Sequence, residues 1–278
     1  MTRFAACFLL VFGQLAFGGM FALAVPPFFN VERGFYKSSA AVYLSAGLTA
    51  AAGFVLLALR DESGDAPSAV ALWGSATLWA IFCATIAAYL YTLWSDNGRL
   101  RARAFAAGFV AGLVAVVASA AMLQPAGFGA AGALVYALTA IGASAALGLS
   151  SGAMLFGHWY LIDPNMPVAY LQSFIRALGY TLLAYLGALG LALLLLEVAA
   201  GTAGTGAVGL LIGSHLGLLA MRIVLGPLAA LVLTWMCWQT LKIPQTMAAT
   251  GLLYITVLAV LVGEMLGRYT MFRTSVPL

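Results

Sequence analysis

The chain has 278 residues, of which 64% are hydrophobic and only 7% are charged. A soluble globular domain carries roughly 25% charged residues, so these few charges cannot cover a water-exposed surface of this size. The composition therefore excludes a soluble globular protein and predicts an integral membrane protein. The net charge of +4 does not indicate nucleic-acid binding. The one basic cluster (Arg99, Arg101 and Arg103) lies between two apolar spans and is typical of a topology signal.

Eight segments are long and apolar enough to cross a bilayer, which takes about 20 residues in a helix. Their apolar runs are continuous rather than alternating, which favours helices over the strands of a membrane barrel. We expect an all-α fold, a polytopic helical bundle with short loops, in which residues 1–278 form a single transmembrane domain. In chain order the spans are 4–27, 39–59, 69–93, 104–123, 130–161, 171–197, 206–240 and 246–267.

Two segments at the ends of the first and fifth spans, 19–29 and 153–164, share Met, Phe and Pro in similar order. Each is followed by an amphipathic connection with basic and aromatic residues. The similarity indicates a weak internal repeat of four plus four spans, about 1–125 and 126–278. Because each half has an even number of spans, the two halves would share one orientation.

The orientation follows from Lys and Arg outside the spans, because these residues collect on the cytoplasmic side. We call the side on which the first span begins side A and the opposite side side B. Side A carries Arg3, Arg60, Arg268 and Arg273. Side B carries Arg33, Lys37, Arg99, Arg101, Arg103, Arg176 and Lys242. This excess predicts that side B is cytoplasmic and that both termini lie outside, and we expect a bacterial cytoplasmic membrane.

Glycine spacing predicts where helices pack. Gly209, Gly213 and Gly217 recur every four residues and form a small-residue face on the seventh span. Such faces allow helix backbones to approach closely, which lipid alone does not drive. Gly226 and Pro227 follow in the same span and predict a kink.

Arg222 lies near the middle of the seventh span, where a permanent charge is costly and usually faces a protein interior or a wet cavity. His215 is two turns away on the same helix face, and Glu264 on the eighth span lies at a similar depth to His215, from the rise of about 1.5 Å per residue. Gln14 lies near the midplane of the first span. These four residues form the candidate intramembrane polar site, for an anionic group, a quinone oxygen or a proton.

A structural interpretation of the same residues stays open. Arg222 and Glu264 would then neutralise each other or other partners. Glu264 and Arg268 also have the spacing of an ordinary i,i+4 helix pair near the membrane edge.

A second group of polar and aromatic residues follows the fifth span near side B. We interpret it as an interfacial site for a quinone or a lipid head group, with the histidine as donor or proton relay. The alternative is an anchor belt of the kind that Trp and Tyr form at any membrane interface. Its members are His158, Trp159, Tyr160, Asp163, Gln172 and Arg176.

Haem b is a further candidate cofactor, with His158 or His215 as an axial ligand. The two histidines lie about 25–30 Å apart along the membrane normal, from the helical rise, so they cannot both ligate one iron. Histidine with methionine as the two axial ligands remains open. Met154 lies one turn before His158, and Met221 neighbours Arg222. No metal site is predicted with a defined ligand set, and the three cysteines are interpreted as buried small hydrophobes.

These features favour a membrane subunit of a respiratory or other electron-transfer complex, with a quinone or haem site. The predicted partners are the lipid bilayer and further protein subunits. Two alternatives stay open: a proton-coupled secondary transporter for a small anionic solute, and a purely structural subunit.

Overall fold

The computed structural model describes residues 2–60, 68–123, 129–160, 162–200, 207–243, 245–274 and 276. These residues form helices and connecting turns, without strands in the part described, and eight helices are long and apolar enough to cross a membrane. The prediction of a helical membrane bundle is therefore confirmed. The helices are α1 Thr2–Ala24, α2 Arg33–Leu59, α3 Ala69–Thr92, α4 Gly98–Leu123, α5 Gly129–Trp159, α6 Val168–Ala200, α7 Ala207–Ile223, α8 Ala229–Thr240 and α9 Thr246–Thr274.

Several helices extend beyond their apolar spans. Helix α2 begins at Arg33 rather than near residue 39, α4 begins at Gly98 rather than near 104, and α9 continues to Thr274 rather than 267. A helix satisfies its own backbone groups, so it continues readily through the interface, where long basic and aromatic side chains reach the head groups. The amphipathic segment after the first span is thus the start of α2.

Helices α1 and α5 form the centre of the bundle. Their most apolar 18-residue windows are 78% and 72% buried, more than those of the other spans. Gly18 of α1 meets Gly148 of α5, so close that a Cβ on Gly148 would overlap the Gly18 backbone. Both helices begin one of the two proposed halves, and the repeat itself stays a prediction.

The glycine face predicted on the seventh span packs against none of the residues that the structure describes. A Cβ added to Gly209, Gly213 or Gly217 would meet no described atom within 4 Å. Among the described residues the seventh span approaches its neighbour at a different glycine, and packing on the glycine face stays a prediction. A Cβ on Gly226 would lie 2.9 Å from the Cα atom of Gly263 on α9.

The predicted kink at Gly226 and Pro227 is confirmed. Helices α7 and α8 are joined by a single π-helical turn, Val224–Leu228, in which Gly226 has φ −81° and ψ −106°. Proline has no backbone N–H to donate, and a wider turn accommodates its ring within a continuous span. The kink lies directly after Arg222 in the chain.

We expect Gly148→Ala to destabilise the protein by about 3 kcal/mol, because the added methyl group forces α1 and α5 apart in a packed interior. The free energy of unfolding is measured by denaturant titration of the purified protein in detergent. Gly187→Ala on α6 is the control, since its Cβ would meet nothing within 4 Å. Equal stability of the two variants would contradict the close backbone contact.

Candidate functional site

Four buried side chains form a continuous chain of polar contacts inside the bundle. The Nη2 group of Arg222 on α7 donates to the hydroxyl oxygen of Tyr185 on α6 at 3.2 Å. That hydroxyl donates to Glu264 Oε1 on α9, and Arg268 Nη2 lies 3.5 Å from Glu264 Oε2. All four residues are at most 2% exposed. We call them the buried polar chain.

Two glycines on α9 leave space for the buried polar chain. A Cβ on Gly267 would lie 2.6 Å from Arg222 Cζ, so only glycine leaves space for the guanidinium there. Gly263, one turn earlier, receives the π-helical turn at Gly226. On the other side, the Arg268 guanidinium lies over the Tyr136 ring of α5, 4.7 Å from its centre. The kink and the two glycines therefore set the position of Arg222 against α9.

The buried polar chain provides Glu264 with more of its hydrogen-bond partners than it provides Arg222. The two carboxyl oxygens of Glu264 face two donors, Tyr185 and Arg268. Arg222 donates a hydrogen bond from Nη2 to the neutral Tyr185 hydroxyl. Its Nε and Nη1 groups are buried and have no hydrogen-bond partner in the described structure. An incompletely paired buried charge is costly, so Arg222 carries an energetic cost that Glu264 does not.

The structure brings two of the four residues predicted for the intramembrane site into this chain. Arg222 and Glu264 belong to it, joined through Tyr185 rather than directly. His215 is partly buried at a local break in α7, and its Nδ1 has no hydrogen-bond partner in the part described. Gln14 is 3% exposed with an unpartnered Oε1. The structure records no hydrogen bond from His215 or Gln14 to Arg222 or Glu264 among the described residues, and a functional role of the four stays a prediction.

Sequence reasoning missed Tyr185 and Tyr136 and misplaced Arg268. Tyr185 is one of 11 tyrosines, and only its depth within the sixth span could have indicated a role. Arg268 has the expected i,i+4 partner in Glu264, but both side chains are buried inside the bundle rather than exposed at its end. Its distance from the end of α9, which extends to Thr274, accounts for the difference.

The polar residues of the predicted interfacial site form hydrogen bonds with different neighbours and not with one another. His158 is exposed, and its Nδ1 lies 3.4 Å from the Tyr254 hydroxyl. The other polar contacts are Tyr160 Oη to Pro167 O at 2.8 Å, Asn165 N to Asp163 Oδ1 at 3.3 Å, Gln172 Nε2 to Leu241 O at 3.4 Å and Arg176 Nη2 to Ser173 Oγ at 3.3 Å.

Trp159 and Arg176, two members of the predicted interfacial site, differ in their surroundings. The ring of Trp159 packs against Phe35, with ring centres 6.1 Å apart. Arg176 lies at an apolar groove of about 490 Å³ between α6 and α8, with Tyr180, Trp235 and Trp238 among its walls. The structure therefore separates the predicted site into a packed aromatic contact and an open groove.

A second cavity of about 460 Å³ lies at the side B ends of α1, α3 and α4. Four aromatic side chains form part of its wall: Phe28, Phe29, Tyr89 and Phe105. We call it the Arg101 cavity, because Arg101 lines it, is 7% exposed and has a buried Nη1 group with no hydrogen-bond partner in the described structure. Its guanidinium lies over the Phe28 ring, 4.2 Å from the centre.

Arg101 is a further residue that sequence reasoning missed. It was interpreted with Arg99 and Arg103 as a topology signal, and those two neighbours are indeed exposed. The difference arises because α4 already begins at Gly98, so that one of three alternating arginines faces the bundle. The early start of this helix was the missing information.

Two exposed contacts connect the loops at this end of the bundle. Arg33 and Asp96 form an ion pair of 2.7 Å, and the Lys37 ammonium lies 4.4 Å from the centre of the Trp94 ring. The hydrogen bond from Arg33 and its charge hold the pKa of the Asp96 carboxyl below its usual value. Exposed pairs of this kind contribute little to stability, but they join the start of α2 to the connection between α3 and α4.

Neither histidine lines the groove of about 490 Å³ or the Arg101 cavity. Across the described ranges, no group of three or more His, Cys, Asp or Glu residues is placed to hold a metal ion. The chain matches no protein-family model, no curated protein and no solved structure.

We expect Tyr185→Phe to destabilise the protein by about 3 kcal/mol, because the change leaves Glu264 Oε1 and Arg222 Nη2 buried without their partner. Thermal or denaturant unfolding in detergent measures the effect. Tyr180→Phe on the same helix is the control: Tyr180 is 72% exposed, and such changes usually stay within about 0.5 kcal/mol. A similar small effect for both would show that the Tyr185 hydroxyl does not hold the buried polar chain together.

Proposed function

We propose that the chain is a membrane subunit of a quinone-linked electron-transfer assembly and that the quinone ring occupies the Arg101 cavity. The observation that carries this proposal is a buried guanidinium with an unpartnered N–H in an aromatic cavity at the membrane interface. The site differs from both candidates that the sequence predicts, the intramembrane site at Arg222 and the interfacial group around His158.

The cavity has the chemistry that a quinone requires. A quinone ring is flat, and its carbonyl oxygens accept hydrogen bonds, so one of them pairs with the Arg101 guanidinium that lines the cavity. The Phe28, Phe29 and Phe105 rings supply apolar surface for the ring face, as in most small-molecule sites with a few polar groups. Because the cavity lies at a helix end, its ligand is close to the water that supplies or takes up protons on reduction and oxidation.

The proposal that the chain belongs to a larger assembly rests on how little of it lies outside the bilayer. On side B the described connections between spans are only a few residues long. A chain placed almost entirely within the bilayer leaves water-soluble chemistry to other subunits. Its own residues then bind and orient the quinone.

The transporter alternative is less well supported by the geometry. It needs room for a solute at Arg222, and the cavity that Arg222 lines has a volume of about 10 Å³. That volume accommodates about one water-sized group. Arg222 is therefore better explained as part of a packed polar chain than as the binding site of an organic anion.

We expect Arg101→Leu to weaken quinone binding by about 10- to 100-fold, because a hydrogen bond to a charged group contributes about 1.5–3 kcal/mol. The dissociation constant is measured by fluorescence titration of the purified protein with a short-chain quinone analogue. Arg103→Leu is the matched control, since it removes the same charge from an exposed position of the same helix.

Quinone extracted from the purified wild-type protein and quantified by chromatography gives an independent readout. Unchanged binding in Arg101→Leu, with a loss in Arg176→Leu instead, would move the site to the groove between α6 and α8. Absence of any quinone binding by the wild type, together with solute uptake into liposomes, would support the transporter.

A further inference from the structure

The groove of about 490 Å³ between α6 and α8 follows the axes of the two helices. These helices belong to consecutive spans and run in opposite directions, with Gly179 opposite Thr234: a Cβ on Gly179 would lie 3.8 Å from Thr234 Cγ2. On α6 the groove extends from Arg176 to Leu183, which is about two turns or about 10 Å of helix. Trp235 in its wall is 60% exposed, so the groove opens sideways to the bilayer.

The charge of this groove is confined to one end. Among the described lining residues only Arg176 is charged, and it lies near the side B end of α6, which begins at Val168. The Thr234 hydroxyl donates within its own helix to Ala230 O at 2.7 Å. The deeper walls are apolar: Leu183, Leu231 and Val232. The groove therefore has a cationic rim at the membrane interface and an apolar interior.

The cation at the rim is not neutralised by the protein. Arg176 is exposed and its Nη2 group donates to the neutral Ser173 hydroxyl at 3.3 Å, and neither ion pair of the described structure includes it. Gln172 Nε2 donates to Leu241 O at 3.4 Å, so the end of α8 lies beside the first turns of α6. Lys242 follows Leu241 directly and adds a second positive charge at this end. An anion in the head-group region would balance these charges.

One kind of membrane molecule has the same arrangement of parts as the groove. A phospholipid places its phosphate at the interface and its acyl chains along the membrane normal, and an acyl chain needs no polar partner in the deeper walls. A quinone ring fits less well, because its two carbonyl oxygens lie at opposite ends and the charge lies at one end only. The volume is within the range of roughly 300–1,000 Å³ that is typical of ligand sites.

We infer that the groove binds one anionic phospholipid of the side B leaflet, with an acyl chain between α6 and α8 and its phosphate at Arg176. A guanidinium forms charge-assisted hydrogen bonds with phosphate oxygens, and the Trp235 and Trp238 rings lie beside the chain. The inference goes beyond the proposed function and is independent of it, since the Arg101 cavity lies against α1, α3 and α4.

The test uses the full chain reconstituted into vesicles of dioleoyl phosphatidylcholine that contain increasing fractions of brominated phosphatidylglycerol or brominated phosphatidylcholine. Bromine quenches tryptophan fluorescence at contact, and two tryptophans line the groove. Trp73→Phe and Trp94→Phe remove exposed tryptophans elsewhere. We expect the groove to favour phosphatidylglycerol about five- to tenfold, because each interfacial cation contributes a factor of about five.

Two variants in this background connect the preference to the groove. Gly179→Leu fills the groove and should abolish the preference, and its Cβ meets only Thr234 Cγ2 at an ordinary contact distance, so the bundle accommodates it. Gly187→Leu on the same helix is its control, since a Cβ there meets nothing within 4 Å and Gly187 does not line the groove. Arg176→Gln should lower the preference about fivefold. Arg99→Gln, which removes an exposed cation near side B from α4, should leave it unchanged.

The inference is overturned if both brominated lipids quench the wild-type groove equally at equal fractions. It is also overturned if the preference persists in Gly179→Leu or in Arg176→Gln, because the anionic lipid would then bind elsewhere or without this guanidinium. Relief of the quenching by a short-chain quinone analogue would assign the groove to the quinone instead of the lipid.

Discussion

A guanidinium inside a bilayer-spanning bundle must exchange its water shell for partners supplied by protein, and this requirement shapes the surroundings of Arg222. Gly267 leaves the space for the charged group, and the Tyr185 hydroxyl meets one of its donors. The same hydroxyl connects it to Glu264, which in turn is held by Arg268 from the next turn of α9. A single chain of polar contacts therefore joins three helices, α6, α7 and α9, within a largely apolar interior. Such a chain has little tolerance for partial loss, because each member depends on its neighbour.

The bundle combines two kinds of interhelical contact. At its centre, α1 and α5 touch backbone to backbone at Gly18 and Gly148, a contact driven by close packing rather than by the hydrophobic effect, which lipid does not provide. Toward side A, the polar chain joins α6, α7 and α9. The Arg101 cavity and the groove between α6 and α8 lie elsewhere. Rigid contacts and ligand-sized spaces are thus found in different parts of the molecule.

The helical class, the eight spans and the break at Gly226 and Pro227 could be predicted, since hydropathy and proline report local properties of the chain. The cost of a buried charge also identified Arg222 as an interior residue, and the structure agrees with its burial. Partners on other helices could not be predicted in the same way, because span depth constrains one coordinate and leaves the rotation of each helix open. His215 and Glu264 match in depth, yet Tyr185 is the residue that faces Glu264. Likewise Arg101 is buried and Arg103 exposed, a difference that depends on where α4 starts and which way it faces.

The π-helical turn Val224–Leu228 also sets the rotational phase of the seventh span. Each residue of an α-helix advances the chain by about 100° around its axis, so removal of one residue from this turn would swing α8 by roughly that angle relative to α7. Thr234 and Trp238, which now line the groove against α6, would then face another direction while Arg222 kept its own. The span behaves as two short helices whose faces are aligned by the length of the segment between them. A single-residue deletion there is consequently a greater perturbation than most substitutions along the same span.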